Sequence, residues 1–215
     1  MKTKIVSLFL AFGLSINVAS ASSAGLGYTS DYFYRGAQQS EEAVQASLQL
    51  THGLAGLEGS LGVFTNQSVD SAADTYIVSG GVSKGFMDDL LNAYVGLNHI
   101  EDVPGAAMSE VQVSASVGVL LNPTVSAYRD LDDSLYTFEL SVSHQFELGF
   151  ADLDLSALAG NTELTSTDSR DYYSAGAGLS KGLGESTDLS LSALYVDSED
   201  IDREFVFGSS LTFKF

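Results

Sequence analysis

Cysteine and tryptophan are absent from this 215-residue chain, proline occurs only twice, and lysine and arginine together number nine. Without cysteine there is neither a disulfide framework nor a thiolate metal site. Without tryptophan, any aromatic belt must be built from the 10 tyrosines and 12 phenylalanines. Scarce proline suits a strand-rich chain, because each proline removes a donor from a sheet ladder. The few bases face 28 acids, a formal net charge of −19. That balance excludes nucleic acid as a partner, since such binding rests on cationic contacts to phosphate. Long apolar runs are also missing. The longest, Ile5–Val18, is short of the roughly 20 residues needed to cross a bilayer as a helix.

That run follows Lys2 and Lys4 and precedes Ala19-Ser20-Ala21, a small-x-small pattern. The arrangement predicts a secretory signal peptide over 1–21, with cleavage after Ala21 or, alternatively, Ala24. The remainder, 22–215, shows no linker, low-complexity tract or composition shift and reads as one domain.

Alternation of apolar and polar residues is what the domain has in quantity. It predicts twelve strands, at about 24–36, 43–51, 55–66, 74–84, 91–100, 109–119, 123–130, 134–148, 153–162, 170–180, 187–197 and 203–215. In the sixth, Val111, Val113, Ala115 and Val117 oppose Gln112, Ser114 and Ser116. In the last, Phe205, Phe207, Leu211, Phe213 and Phe215 share one parity, so one face is apolar and the other wet. A C-terminal strand of this kind, with Phe213 and Phe215 at its end, matches the signal read by the barrel-assembly machinery of the bacterial outer membrane. The connections alternate too: short glycine-bearing turns such as His52–Ala55 and Lys181–Gly184, then acidic stretches such as 36–42, 67–73, 101–108 and 197–202. Short periplasmic turns alternating with polar external loops is the organisation of outer-membrane barrels. The expectation is an all-β, transmembrane, antiparallel up-and-down barrel of about twelve strands. The competing architecture, a soluble twelve-strand sandwich, would need an apolar core between two sheets. The polar faces here are rich in Ser, Gly, Thr, Asn and Gln and poor in charge, which favours a closed barrel without edges.

The most specific local motif is Ser30-Asp31-Tyr32-Phe33-Tyr34-Arg35-Gly36, continuing Ala37-Gln38-Gln39-Ser40. Over about residues 26–50 the chain resembles the TorF-like porin family, whose members open with a segment of the form S-D-Y-x-F-R-G-x-x-Q-S. Tyr34 stands where that family usually has phenylalanine. The resemblance implies a porin class of protein and no particular substrate.

Parity in the first strand puts Tyr28, Tyr32 and Tyr34 outward as part of an aromatic girdle, and Asp31, Phe33 and Arg35 inward. Arg35 is expected to pair with Glu204 of the last strand, or with a neighbouring loop acid, where the barrel closes. The predicted lining carries Asp31, Glu58, Glu139, Glu147, Asp154, Asp188 and Glu204 against Arg35 and Lys214, among mostly small side chains. Twelve strands with small inward residues leave room for water, because eight strands are just filled and sixteen leave a channel. Excess carboxylate favours cations. The reading is a channel for small hydrophilic solutes or ions in the bacterial outer membrane. Lipid, lipopolysaccharide, the assembly machinery and periplasmic chaperones are its expected partners; the oligomeric state stays open. The alternative is a closed structural or interaction barrel whose acidic loops bind divalent cations or a surface partner. No catalytic, cofactor-binding or metal-ligating residue is assigned. The three histidines form no hydrolase constellation, because Ser143 and His144 are neighbours that point to opposite faces.

Overall fold

The computed structural model describes residues 21–69, 74–199 and 201–215. The predicted signal segment lies outside the described residues except for Ala21, as do 70–73 and 200 of two predicted acidic loops. Twelve strands are present: β1 (Ala21–Tyr34), β2 (Ala37–Leu54), β3 (Leu57–Ser68), β4 (Asp74–Phe86), β5 (Leu91–Val103), β6 (Ala107–Val117), β7 (Thr124–Asp130), β8 (Tyr136–Glu147), β9 (Asp152–Thr165), β10 (Asp168–Gly182), β11 (Thr187–Ser198) and β12 (Ile201–Lys214). Each pairs antiparallel with its neighbours in sequence, and β1 closes on β12 through Ser23↔Lys214 to Thr29↔Gly208. An even strand number puts the first and last strand ends at one rim, here the terminal rim; the opposite one is the distal rim.

The barrel is inside-out relative to a soluble domain. Leu26, Leu97, Val113, Leu140, Leu191 and Phe207 lie on the outer surface, exposed apolar side chains on six different strands. The buried residues are chiefly polar, among them Asn66, Thr75, Glu110, Thr137 and Thr162. A sandwich core is thereby excluded.

Strand order and number agree with the alternation in the sequence, but the connections do not have the expected lengths. The stretch 36–42, expected as an external loop, is mostly strand: β1 and β2 meet at the two-residue turn Arg35-Gly36. Positive φ values of 51° and 73° there match the primed hairpin turn, whose twist suits antiparallel strands. At the terminal rim Ala55-Gly56 does the same, with φ of 54° and 78°. Distal and terminal connections therefore differ in charge more than in length.

Candidate functional site: a hairpin folded across the lumen

The distal ends of β1 and β2 leave the wall. Pairing of β1 with β12 stops at Thr29↔Gly208, although β12 continues to Ile201 along β11. At the point of departure the Phe207 N–H donates to the Ser30 hydroxyl, 3.0 Å, in place of a backbone carbonyl. On the other side β2 pairs with β3 only from Ala43↔Ser68 onward. A register shift between Tyr32 and Phe33 and a positive φ of 24° at Glu42 bend the ribbon at this level. Residues 31–41 thus form a free two-stranded hairpin, and the contacts of its tip show where it goes.

Arg35, at the tip, donates from Nη2 to Glu110 Oε2 of β6 at 2.6 Å. In a twelve-strand ring β6 lies almost opposite β1, so the hairpin crosses the lumen. Its guanidinium lies 4.6 Å from the ring centre of Tyr128 on β7 and 4.9 Å from that of its own neighbour Tyr34. Ser198 of β11 donates its hydroxyl to the Gly36 carbonyl, 2.8 Å. Asn66 of β3 donates to Ser40 Oγ at 2.9 Å, and Tyr32 packs on the ring of Phe64, 5.7 Å between centres. Gly36 is required twice over. Its φ is 73°, and a Cβ there would meet Tyr172 Cβ at 2.6 Å and Ser198 Cβ at 3.0 Å.

The wall residues that receive the tip form a satisfied polar network. Glu110, only 1% exposed, takes Arg35 on one oxygen and Asn98 Nδ2 on the other at 3.0 Å. Glu139 accepts from the Tyr128 hydroxyl at 2.9 Å and from the Tyr172 hydroxyl at 2.7 Å. Charge-assisted bonds of this length are the strong ones, and a buried carboxylate is tolerated only with such partners. The tip divides the interior. A distal cavity of about 250 Å³, with Asp130, Glu163 and Arg170 in its lining, lies on one side. An inner one of about 420 Å³ lies on the other. Tyr34, Arg35 and Tyr128 line both, so these three side chains are the partition. Toward the terminal rim the inner cavity shares Ser79 and Gln112 with a further space of about 450 Å³, bordered by Gln49, Ser60, Ser114 and Ser126.

The sequence-predicted residues scatter along this path. Arg35 and Glu139 come together at the partition. Arg35 does not pair with Glu204, as expected from the closing seam; its ion pair is with Glu110, because the hairpin carries it away from β12. Glu204 stays on the wall opposite Val196. Asp31 accepts from Gln38 Nε2 at 2.9 Å within the hairpin. Glu58, Glu147 and Asp154 keep inward parity in the terminal half, opposite Ser83, Asp152 and Gln145. Asp188 and Lys214 form an ion pair of 2.5 Å. Phe213 lies on the outer surface, and the Phe215 N–H donates to the Ser22 carbonyl at 3.0 Å.

Tyr28 faces outward, but the outward assignment of Tyr32 and Tyr34 is wrong: once the hairpin turns in, both of its faces are inside. Glu110, Asn98, Tyr128 and Tyr172 were missed altogether. Glu110 and Tyr172 do carry a signal, a large polar side chain on the inward parity of strands otherwise lined by small ones. Of the histidines, His144 meets Phe146 edge-on, 4.4 Å between ring centres. His99 Nδ1 lies 2.9 Å from Ser109 Oγ on the outer face, a pairing not anticipated. No described hydrogen bond orients the other side of that ring. Among the described residues no three carboxylates or imidazoles converge as a metal site would require.

Fold and site define a closed twelve-stranded antiparallel barrel with a hairpin folded across its lumen. No family model matches the chain, and no curated protein matches it in sequence. Solved structures share its fold. It is similar to the KdgM porin at 11% identity, covering 90% of this chain and 99% of that one with a TM-score of 0.61. An outer membrane channel from Pseudomonas putida F1 aligns at 11% identity over 94% and 97%, TM-score 0.62. The NanC porin aligns at 12% identity over 89% and 98%, TM-score 0.58. The TorF-like resemblance rests on residues 26–50 alone.

Proposed function

We propose that this protein is an outer-membrane channel through which small hydrophilic solutes diffuse, with a preference for cations. The observation that carries the reading is the lumen itself, crossed by an inward hairpin and enclosed by an apolar outer surface. It is lined largely by Ser and Gln toward the terminal rim, and by mixed polar and apolar side chains such as Gln112, Ile100 and Leu194 beneath the tip. An apolar exterior with every strand paired round the ring suits hydrocarbon, where unpaired backbone is expensive. The leader predicted over 1–21 and the outward Phe213 fit export and assembly into that membrane. Porin structures share the fold, among them the KdgM porin in complex with disordered oligogalacturonate. The motif shared with TorF-like porins supports the same class.

Cation preference follows from the inward acids Glu58, Glu147, Asp152 and Asp154 in the terminal half, where Lys214 is already engaged by Asp188. No reaction is assigned; the barrel lowers the cost of carrying polar molecules past lipid. The closed-barrel alternative draws on the same hairpin, whose tip is anchored to β6 and β11. Single-channel conductance of the refolded protein in a planar bilayer, with reversal potential under a salt gradient, separates the two. Discrete cation-selective steps support the channel. A silent bilayer from both the wild type and a variant lacking residues 32–39 would overturn it.

A further inference from the structure

Arg35 occupies a site that is complete without it. Glu110 on β6 is held by Asn98 of β5, and Tyr128 of β7 is held by Glu139 of β8. All four belong to wall strands that stay in place if the hairpin moves. Together they present a carboxylate oxygen and, beside it, an aromatic face 4.6 Å from the guanidinium carbon. Withdrawing Arg35 leaves Glu110 with its Asn98 bond but without a counter-charge, so the position favours a cation in its place. Its present occupant is delivered on a mount without backbone pairing to the wall. The hairpin 31–41 has no ladder to either wall neighbour. It is held by contacts that involve side chains: Arg35 with Glu110, Ser198 with Gly36, Asn66 with Ser40 and Tyr32 with Phe64.

The geometry points to a binding site for the guanidinium head of an organic cation, formed by Glu110, Asn98 and Tyr128 and filled in the resting barrel by the chain's own Arg35. The planar, delocalised guanidinium is what the pairing selects. Its central carbon lies over the Tyr128 ring while Nη2 donates to Glu110, a double contact that a compact ammonium makes less well. A solute carrying that head competes with Arg35 for Glu110, releases the tip and clears the partition. The opening step rests on the channel reading; binding does not, and it can be measured without a pore.

The test uses the refolded barrel in detergent micelles and isothermal titration calorimetry with methylguanidinium chloride at fixed ionic strength. Arg35→Asn empties the site without straining the turn, because Asn-Gly suits two consecutive positive φ values. Arg35→Gly serves if that variant does not refold. The expected result is one saturable site in Arg35→Asn. Affinity falls at least tenfold in Arg35→Asn/Glu110→Gln. It also falls at least tenfold in the wild type, where the tethered arginine acts as an internal competitor at an effective concentration of roughly millimolar or above. Methylammonium binds several-fold more weakly than methylguanidinium. The proposal is overturned if Arg35→Asn shows no saturable binding, if Glu110→Gln leaves it unchanged, or if the wild type binds equally well. Equal binding of methylammonium overturns the guanidinium assignment. Absent currents in a planar bilayer would count against the channel and leave the calorimetry standing.

Discussion

At the scale of single residues, the constriction depends on Arg35, Glu110 and Gly36. Replacing Glu110 by Gln leaves a guanidinium buried without its counter-charge. Removing one partner of a buried pair costs about 3–5 kcal/mol where the structure cannot respond. Here the hairpin can carry Arg35 to water, so the effect falls on the hairpin and not on the barrel. Glu110→Gln is expected to raise single-channel conductance while the urea midpoint of the barrel stays within error of the wild type. Unchanged conductance would mean that the pair does not hold the tip. Gly36→Ala acts from the other side. A left-handed conformation costs a non-glycine residue about 1–2 kcal/mol, and the new methyl would lie within 2.6 Å of Tyr172 Cβ. The tip must back away, giving larger and noisier currents in planar bilayers. Currents identical to wild type would show that the lumen absorbs the methyl without moving the hairpin.

At the scale of elements, the hairpin departs from a regular barrel, and its cover over the wall can be probed chemically. Ser198 lies under the tip and donates to the Gly36 carbonyl. Because the chain has no cysteine, Ser198→Cys introduces a unique thiol. Its reaction with a small maleimide should be slow, and at least tenfold faster when Glu110→Gln is added. Equal rates would place the hairpin on Ser198 in both states. The departure itself was partly legible. The arm 37–42 reads Ala-Gln-Gln-Ser-Glu-Glu, polar on both parities, and such a strand has no face to offer lipid. Arg35-Gly36 is likewise a recognisable turn pair. Reading 36–42 as a loop hid both signals, and parity carried past the bend then sent Tyr32 and Tyr34 outward. Elsewhere the alternation sufficed, as in β6, where the valine face and the Gln/Ser face could be assigned from sequence.

At the scale of the whole molecule, the formal charge of −19 matters through where the acids sit in the lumen. In the terminal half, Glu58 and Asp154 form no ion pair with another of the described residues, unlike Asp188. Reversal potentials should therefore show potassium favoured over chloride. Glu58→Gln/Asp154→Asn should move the ratio toward unity without changing the unfolding midpoint. Raising salt from about 0.1 M to 1 M shortens the screening length from about 10 Å to 3 Å and should shrink the preference in the wild type. A preference indifferent to both changes would place selectivity at the partition.

The all-β barrel of about twelve strands and, apart from the distal part of the first hairpin, the face each strand turns outward were determined by the sequence alone. These follow from a period of two that any strand obeys locally, and from the rule that a closed ring leaves no edge. The partition was decided only by the tertiary structure. Arg35 meets Glu110 across 75 positions of sequence and Ser198 meets Gly36 across 162. Those encounters exist because ring closure sets β6 opposite β1 and brings β11 beside the departing hairpin. Local alternation reports which side of a strand is wet; it carries no information about which distant strand stands across the water.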